Sequence, residues 1–404
     1  MKIINYLIII LATFLLAWIL PSLYHMATDE ASGSIFSYYS SVEKSFCTID
    51  FDDKESKLIR KNVKTNREYT ENEFDSILPM FYYRQLLSDG RMPDSIHGMP
   101  VSAKQISRET FYFRHNPSDK NKPHIPLYTL FESFSGRVDL EMPGDVFRIT
   151  DRIEFIAPET NTVNIEKSER FTRALTQRGF QFPAKVVAGN PTTRKSYDEG
   201  YFVVDRNDKL YHLKMVNGKP FVKNIKLPNN FKTRYIATME PSDRSFYAFM
   251  FDDANKMYMI STDNYQLVEI PSPKFDVDKD RIMIMANPLY WIVNVISASG
   301  KESYALDAKS KNMVDSFVVK NEPRRSNLLS LLIPFSLKFE SSNSKFVESV
   351  IHIGSCYGLF FNLLFVILFL GINRYRNRRV EIISSLWIAC TGIFGFIPCL
   401  ILNK

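Results

Sequence analysis

The chain has 404 residues, of which 45% are apolar and 24% charged, so it can bury a sizeable core and a wholly disordered chain is excluded. Its formal charge is +7, but much of the basic excess adjoins long apolar stretches, at Lys2, Arg374, Arg376, Arg378, Arg379 and Lys404. The sequence between those stretches is nearly neutral, whereas nucleic-acid binding requires clustered positive charge. We therefore expect no nucleic-acid partner.

Three apolar stretches predict three transmembrane helices, within residues 1–24, 350–372 and 382–402. Each is long enough, since roughly 20 apolar residues cross a bilayer core as a helix. The first is either a membrane anchor or a cleaved secretory signal. An uncleaved anchor is favoured, because cleavage after Ala27 would place His25 where a signal peptidase needs a small residue.

The four arginines of the loop 373–381 determine the expected orientation, because short basic loops stay in the cytoplasm. Residues 25–327 then form an extracytoplasmic domain, followed by a membrane-proximal segment at 328–349. Only Cys47 lies in this domain, so it contains no intramolecular disulfide. That cysteine usage fits a bacterial envelope better than a eukaryotic cell surface.

A repeat within the outer domain predicts stacked β units. Four segments each contain an apolar strand, a polar turn and a second strand, with turn residues spaced 46, 48 and 45 apart, at Asn161, Asn207, Asn255 and Gly300. Further short strands beside the hairpins give four strands per repeat, which is the blade of a β-propeller. Weaker hairpins at 110–131 and 46–59 raise the expected number to five or six blades. An irregular β-sandwich is the alternative, but it does not require this period.

A short helical insert at 70–89 interrupts the strands. Thr70 and Glu73 have the spacing of a capping box, the residues that follow are apolar at helical spacing, and Pro79 predicts a bend. The predicted fold class is thus mainly β, a propeller-like extracytoplasmic domain with this insert, together with three transmembrane helices.

The sequence contains none of the motifs that identify a phosphate-binding loop, a dinucleotide site, a zinc protease or a serine hydrolase, and we expect no cofactor. His115 and His124 flank a turn and could hold a metal with a third ligand, although a solvated loop is the simpler interpretation.

Two glycines of the second apolar stretch, Gly354 and Gly358, are spaced to share one helix face and to admit a close-packed helix. That helix is either the third span of the same chain or a separate membrane subunit.

The stretch from Glu73 to Asp94, EFDSILPMFYYRQLLSDGRMPD, resembles an uncharacterised family of inner-membrane proteins of about this length from Bacteroides-type bacteria. The resemblance implies a domain of unknown function that lies in the periplasm of a Gram-negative cell. It also implies an association with ABC-transporter subunits. It assigns no catalytic residue.

Two functions follow as expectations. The first is a non-enzymatic accessory protein, anchored in the bilayer, whose outer domain binds a ligand of unknown identity and couples to a membrane complex. The alternative is an envelope hydrolase or lyase with a site on the propeller axis, for which Asp205, Asp252 and His212 are the first candidates.

Overall fold

The computed structural model describes residues 2–28, 35–52, 56–122, 124–321, 333–340, 347–355, 357–378 and 382–402. They fall into two compact units, Ile35–Lys320, here the β unit, and Met1–Ser34 with Asn321–Lys404, here the helical unit. Arg379 and the parts 328–332 and 341–346 of the predicted membrane-proximal segment lie outside the described residues.

Twenty-one strands are described in the β unit. In chain order they are β1 (Phe36–Ser40), β2 (Ser45–Asp52), β3 (Lys57–Asn62), β4 (Ser95–Ile96), β5 (Met99–Pro100), β6 (Phe111–His115), β7 (Val146–Ile149), β8 (Ile153–Ala157), β9 (Thr162–Asn164), β10 (Val186–Gly189), β11 (Tyr201–Val204), β12 (Leu210–Val216), β13 (Lys219–Ile225), β14 (Thr233–Thr238), β15 (Phe246–Asp252), β16 (Met257–Ser261), β17 (Leu267–Ile270), β18 (Arg281–Ala286), β19 (Tyr290–Ser297), β20 (Gly300–Asp307) and β21 (Met313–Lys320).

These strands form five antiparallel sheets besides the small β4–β5 hairpin. Sheet 1 is β1-β2-β3, sheet 2 is β7-β8-β9, sheet 3 is β10-β11-β12-β13, sheet 4 is β14-β15-β16-β17, and sheet 5 has the order β21-β20-β19-β18-β6. The prediction of a mainly β fold is confirmed.

The helices are short in the β unit. In chain order, α1 (Lys2–Thr28) belongs to the helical unit, and the β unit contains α2 (Glu71–Ile77), α3 (Tyr83–Ser88), α4 (Ala103–Glu109), α5 (Pro117–Lys120) and α6 (Ile165–Gln177). The predicted insert at 70–89 corresponds to α2 and α3, and the Thr70–Glu73 capping box that starts α2 is present. The chain leaves helical geometry around Pro79, which cannot donate a helical hydrogen bond.

The four predicted hairpins of the repeat are all present. Their turns join β8 to β9, β11 to β12, β15 to β16 and β19 to β20, and each turn contains or, in the fourth case, directly precedes a residue with positive φ. That residue is Asn161, Asn255 or Gly300 as expected in three turns, and in the second turn it is Asp208, the neighbour of Asn207. Asparagine, aspartate and glycine adopt this conformation at the lowest cost.

Apolar clusters join neighbouring sheets face to face. One cluster packs Phe155 of sheet 2 against Tyr211 of sheet 3, and another packs Phe202 of sheet 3 against Met250 of sheet 4. The next joins sheet 4 to sheet 5 through residues such as Phe249, whose truncation to alanine in a filled core costs about 3–5 kcal/mol. A further cluster joins sheet 5 to sheet 1. Antiparallel meanders stacked in this way give the β unit a β-propeller-like fold.

Two expectations about the strands were wrong in detail. Sheet 2 has three strands, because Asn164 caps α6 where a fourth strand was expected, and Phe171 and Leu175 then bury one helix face. The segment 110–131 forms no hairpin of its own: β6 pairs with β18 in sheet 5, and Pro117 begins α5 directly after it. The weaker hairpin expected at 46–59 is present as β2 and β3.

The helical unit contains α1, a hairpin of β22 (Phe335–Glu340) and β23 (Glu348–Ile353), and the helices α7 (Gly358–Tyr375), α8 (Ile382–Thr391) and α9 (Ile393–Leu402). Two described helices are long and apolar enough to cross a membrane, over Ile3–Tyr24 and Gly358–Tyr375. The prediction of three such helices was therefore wrong in number.

The third apolar stretch, 382–402, is divided at Gly392, whose φ of 59° ends α8. The side-chain amide of Asn362 in α7 donates to the Ala389 carbonyl at this break, at 2.9 Å. The expected span 350–372 also starts later than predicted, since its first residues pair with β22 as part of β23.

Candidate functional site

Two turns of one design lie at the same end of sheets 3 and 4. Asp205 follows β11 and its Oδ1 accepts hydrogen bonds from the backbone N–H groups of Asn207 and Lys209, at 2.8 and 2.9 Å. Asp252 ends β15 and accepts in the same way from the second and fourth residues after it, at 3.0 and 2.8 Å. These carboxylates therefore shape turns, and both are buried.

A cleft of about 840 Å³ opens between these turns and the segment that connects β13 to β14. We call it the sheet 3–4 cleft. Its lining includes the exposed lysines Lys209, Lys226 and Lys232, and asparagines of both the first turn and the connecting segment. The size falls within the range of small-molecule sites, about 300–1,000 Å³.

The charge of the sheet 3–4 cleft is predominantly positive. Asp208 lines it but is paired with Lys185, whose Nζ lies 2.7 Å from Oδ1. Asp253 is the second acidic residue of the lining, and it is exposed. In the part of the chain that the structure describes, no carboxylate lies within ion-pair distance of the three lysines, so their positive charge is available to a ligand.

A second charged group, here the carboxylate–lysine cluster, lies at the other ends of the same strands and consists of Lys195, Asp198, Glu199, Lys214 and Glu240. Lys195 Nζ lies 2.6 Å from carboxylate oxygens of both Asp198 and Glu240, and Lys214 Nζ lies 3.0 Å from Glu199. Burial raises the pKa of Asp198 and of Glu199 above their usual values. Because Glu240 follows β14 and the other members belong to sheet 3 and its loops, the cluster joins sheets 3 and 4.

His212 lies beside the carboxylate–lysine cluster and is fully buried. Its Nδ1 lies 2.9 Å from the Tyr265 hydroxyl, its Nε2 contacts the Glu199 carbonyl oxygen, and its ring stacks on Phe202 at 4.5 Å. Burial lowers the pKa of His212 to about 3, so the imidazole is neutral near pH 7. The structure thus gives the three residues first considered for catalysis, Asp205, Asp252 and His212, packing and turn-forming roles.

The two histidines considered for a metal have separate partners. His115 is buried and its Nε2 lies 2.8 Å from the Val277 carbonyl oxygen. Nε2 of His124 lies 2.9 Å from the Tyr128 hydroxyl. Among the described residues, no group of three His, Cys, Asp or Glu is placed to hold a metal ion.

Gly354 and Gly358 do not share a helix face, because Gly354 precedes α7. Both lie against the backbone of Ile333: a Cβ on Gly354 would overlap its carbonyl oxygen, and one on Gly358 would lie 3.1 Å from it. The close approach that these glycines permit is thus to the chain beside β22. Of the loop arginines, Arg374 lies in the last turn of α7, and Arg376 and Arg378 follow directly.

Neither the sheet 3–4 cleft nor the carboxylate–lysine cluster was predicted from the sequence. Their residues come from loops of two different repeats, so no local motif brings them together. The signal that was available is the repeat itself, since it places Asp205 and Asp252 in equivalent turns.

Comparison with solved structures finds neighbours of low similarity. YCF48 from Cyanidioschyzon merolae has 9% identity and a TM-score of 0.25, covering 59% of this chain and 74% of its own. The WD40 domain of SCAP from fission yeast has 9% identity and a TM-score of 0.26, over 81% and 74%. The β-propeller domain of Cps50 (Swd1) from Myceliophteria thermophila has 6% identity and a TM-score of 0.23, over 72% and 89%.

No curated protein matches the sequence. One family model does, that of a domain of unknown function, DUF4857, over residues 36–306, which include sheets 1 to 4 and most of sheet 5. The matched range is more than half of the chain. The protein therefore belongs to the DUF4857 family.

Proposed function

We propose that the protein is a non-enzymatic, membrane-anchored binding protein that acts as an accessory subunit of a membrane complex, such as an ABC transporter. In this proposal it resides in the inner membrane of a Bacteroides-type bacterium, with the β unit in the periplasm. The observation that carries it is the sheet 3–4 cleft, a large opening lined by charged and amide side chains.

The residues considered for the enzymatic alternative have turn-forming and packing roles instead. Asp205 and Asp252 each accept two backbone hydrogen bonds within their turns, and His212 is buried and neutral. A general acid or base must reach the substrate and exchange a proton with it. Asp205, Asp252 and His212 are held in turns or in the core, so they are unsuited to act as the catalytic groups of a hydrolase or lyase.

Membrane anchoring is supported by α1 and α7, which are long and apolar enough to cross a bilayer. Arg374, Arg376 and Arg378 at the end of α7 favour a cytoplasmic location for that end. The chain between the two helices then lies outside the cytoplasm, which agrees with a periplasmic β unit.

Coupling to a second membrane protein is supported by one face of α7. Phe360, Leu363, Leu364 and Ile367 are between 48% and 72% exposed, and Gly371 continues this face with no atom within 4 Å of a Cβ built on it. An exposed apolar face with a small residue permits a partner helix to pack closely in the bilayer.

The test is purification of the tagged full-length protein from its native membranes in mild detergent, with mass spectrometry of the proteins that accompany it. We expect stoichiometric recovery of a membrane subunit, and its loss in Gly371→Leu, which fills the exposed face without an internal clash. Ile372→Leu changes the adjacent residue, which lies off this face and is half-buried, without adding bulk, and serves as the control. A protein that is recovered alone would exclude the accessory function.

A further inference from the structure

Three kinds of side chain line the sheet 3–4 cleft. The first kind is positively charged and consists of the ammonium groups of Lys209, Lys226 and Lys232. They are exposed and lie outside ion-pair distance of any described carboxylate. Since Asp208 is neutralised by Lys185, Asp253 is the one lining carboxylate left to oppose them. A ligand that carries negative charge is therefore favoured in the cleft.

The second kind consists of side-chain amides. Asn207, Asn229 and Asn230 line the sheet 3–4 cleft, and their amide groups have no hydrogen-bond partner among the described residues. Each amide presents both a donor and an acceptor. This pairing suits hydroxyl groups, which also donate and accept, better than it suits a bare phosphate or carboxylate, which only accepts.

The third kind is apolar. Pro228 and Phe231 line the sheet 3–4 cleft, and the Phe231 ring packs edge-on against Tyr258 with 5.2 Å between the ring centroids, which holds its orientation. Sugar rings have an apolar face of C–H groups that packs on such surfaces. Simple anions gain nothing from it.

We propose that the sheet 3–4 cleft binds an acidic oligosaccharide, with its carboxylate or phosphate groups at the lysines, its hydroxyl groups at the asparagines and a sugar ring against Phe231. This inference rests on the proposed binding function and gives it a ligand class. The cleft volume of about 840 Å³ has room for a ligand of several rings.

The test is titration calorimetry of the full-length protein in detergent with trigalacturonate, which carries one carboxylate per sugar, and with its methyl ester, which has the same rings without charge. We expect trigalacturonate to bind at least about tenfold more tightly than the ester, because the ester cannot form charge-assisted hydrogen bonds with the lysines. Equal affinity for the two saccharides would overturn the acidic class.

Variants locate the binding site. The triple variant Lys209→Gln, Lys226→Gln, Lys232→Gln is expected to weaken trigalacturonate binding about tenfold or more, and Asp253→Asn to strengthen it. Lys223→Gln removes an exposed lysine of β13 outside the cleft and is expected to leave the affinity within about twofold. An unchanged affinity in the triple variant would contradict the proposal.

Two further outcomes separate this inference from the proposed function. Tighter binding of inorganic polyphosphate than of trigalacturonate would assign the lysines to a phosphate chain and overturn the saccharide. If only the uncharged ester binds, and Asn229→Trp abolishes that binding by filling the cleft, the ligand class is wrong but the binding function stands. Binding of neither saccharide overturns the inference, and co-purification then decides the proposed function separately.

Discussion

Asp205 and Asp252 illustrate how a repeat reuses one residue for one task. Each is a buried carboxylate at the end of a strand, and each accepts two backbone hydrogen bonds from the turn that follows. The sequence offers them as candidate catalytic acids for a site on the propeller axis, because carboxylates are common acid–base groups. Their hydrogen bonds distinguish the two roles.

Replacing Asp205 by alanine is expected to lower the free energy of unfolding by about 2–4 kcal/mol, because backbone N–H groups lose a charged acceptor. Denaturant unfolding measures this loss, and Asp253→Ala, an exposed neighbour of the equivalent turn, should change stability by less than about 0.5 kcal/mol. A fully stable Asp205→Ala protein would contradict the turn-forming role.

His212 makes stability depend on pH. Burial lowers its pKa to about 3 in the folded chain, against about 6.5 in an unfolded one. Between these values the unfolded chain binds a proton that the folded chain does not, so the contribution is complete above about pH 6.5 and falls as the pH drops toward 3, by about 1.4 kcal/mol per unit.

The variant His212→Gln, which does not titrate, is therefore expected to have a flatter dependence of unfolding free energy on pH between about 6 and 4. Asp198 and Glu199 have raised pKa values and act in the opposite direction, but both proteins contain them, so the difference of slopes reports on His212. Equal slopes would mean that the folded imidazole titrates normally.

At the scale of single elements, the hairpins within each repeat could be predicted from the sequence, but the pairing of strands that lie far apart in the chain could not. The alternation of apolar strand and polar turn depends on neighbouring residues, so the turns at Asn161, Asn255 and Gly300 could be placed from the sequence. Whether β6 forms its own hairpin or joins sheet 5 depends on contacts with β18, which lies far away in the chain. The same limit applies to the first residues of the expected second span, which pair with β22.

The glycines of the helical unit give a matched pair of variants. Gly354→Ala places a Cβ on the Ile333 carbonyl oxygen, so the backbone must move, and we expect a loss of about 1–3 kcal/mol. Gly371→Ala adds a methyl group in open space on α7 and is expected to be neutral or slightly stabilising. Thermal denaturation in detergent compares them, and equal melting temperatures would contradict the close approach at Gly354.

For the whole molecule, the composition and the spacing of the repeated hairpins predicted the coarse organisation, which is a mainly β unit and an apolar helical unit. The candidate site could not be found in the same way, because the sheet 3–4 cleft exists only after two repeats stack and bring loops together. The break between α8 and α9 at Gly392 was also missed, since uninterrupted apolar composition does not reveal a helix break.

Membrane topology can be tested in intact cells. In a cysteine-free background we expect an impermeant thiol reagent to label Lys223→Cys in the β unit once the outer membrane is permeabilised. It should leave Arg376→Cys unlabelled, because in the proposed orientation this end of α7 faces the cytoplasm and the bilayer protects it. The reverse pattern would invert the proposed orientation.

The most direct test of a binding function is to ask whether a ligand occupies the sheet 3–4 cleft when the protein is in its native membrane. A photo-crosslinking amino acid at Asn229, inside the cleft, is predicted to give a discrete adduct that mass spectrometry can identify, whereas the same group at Lys223, outside it, gives none. If Asn229 yields no adduct, or both positions yield the same one, the cleft is not the binding site and the central claim is wrong.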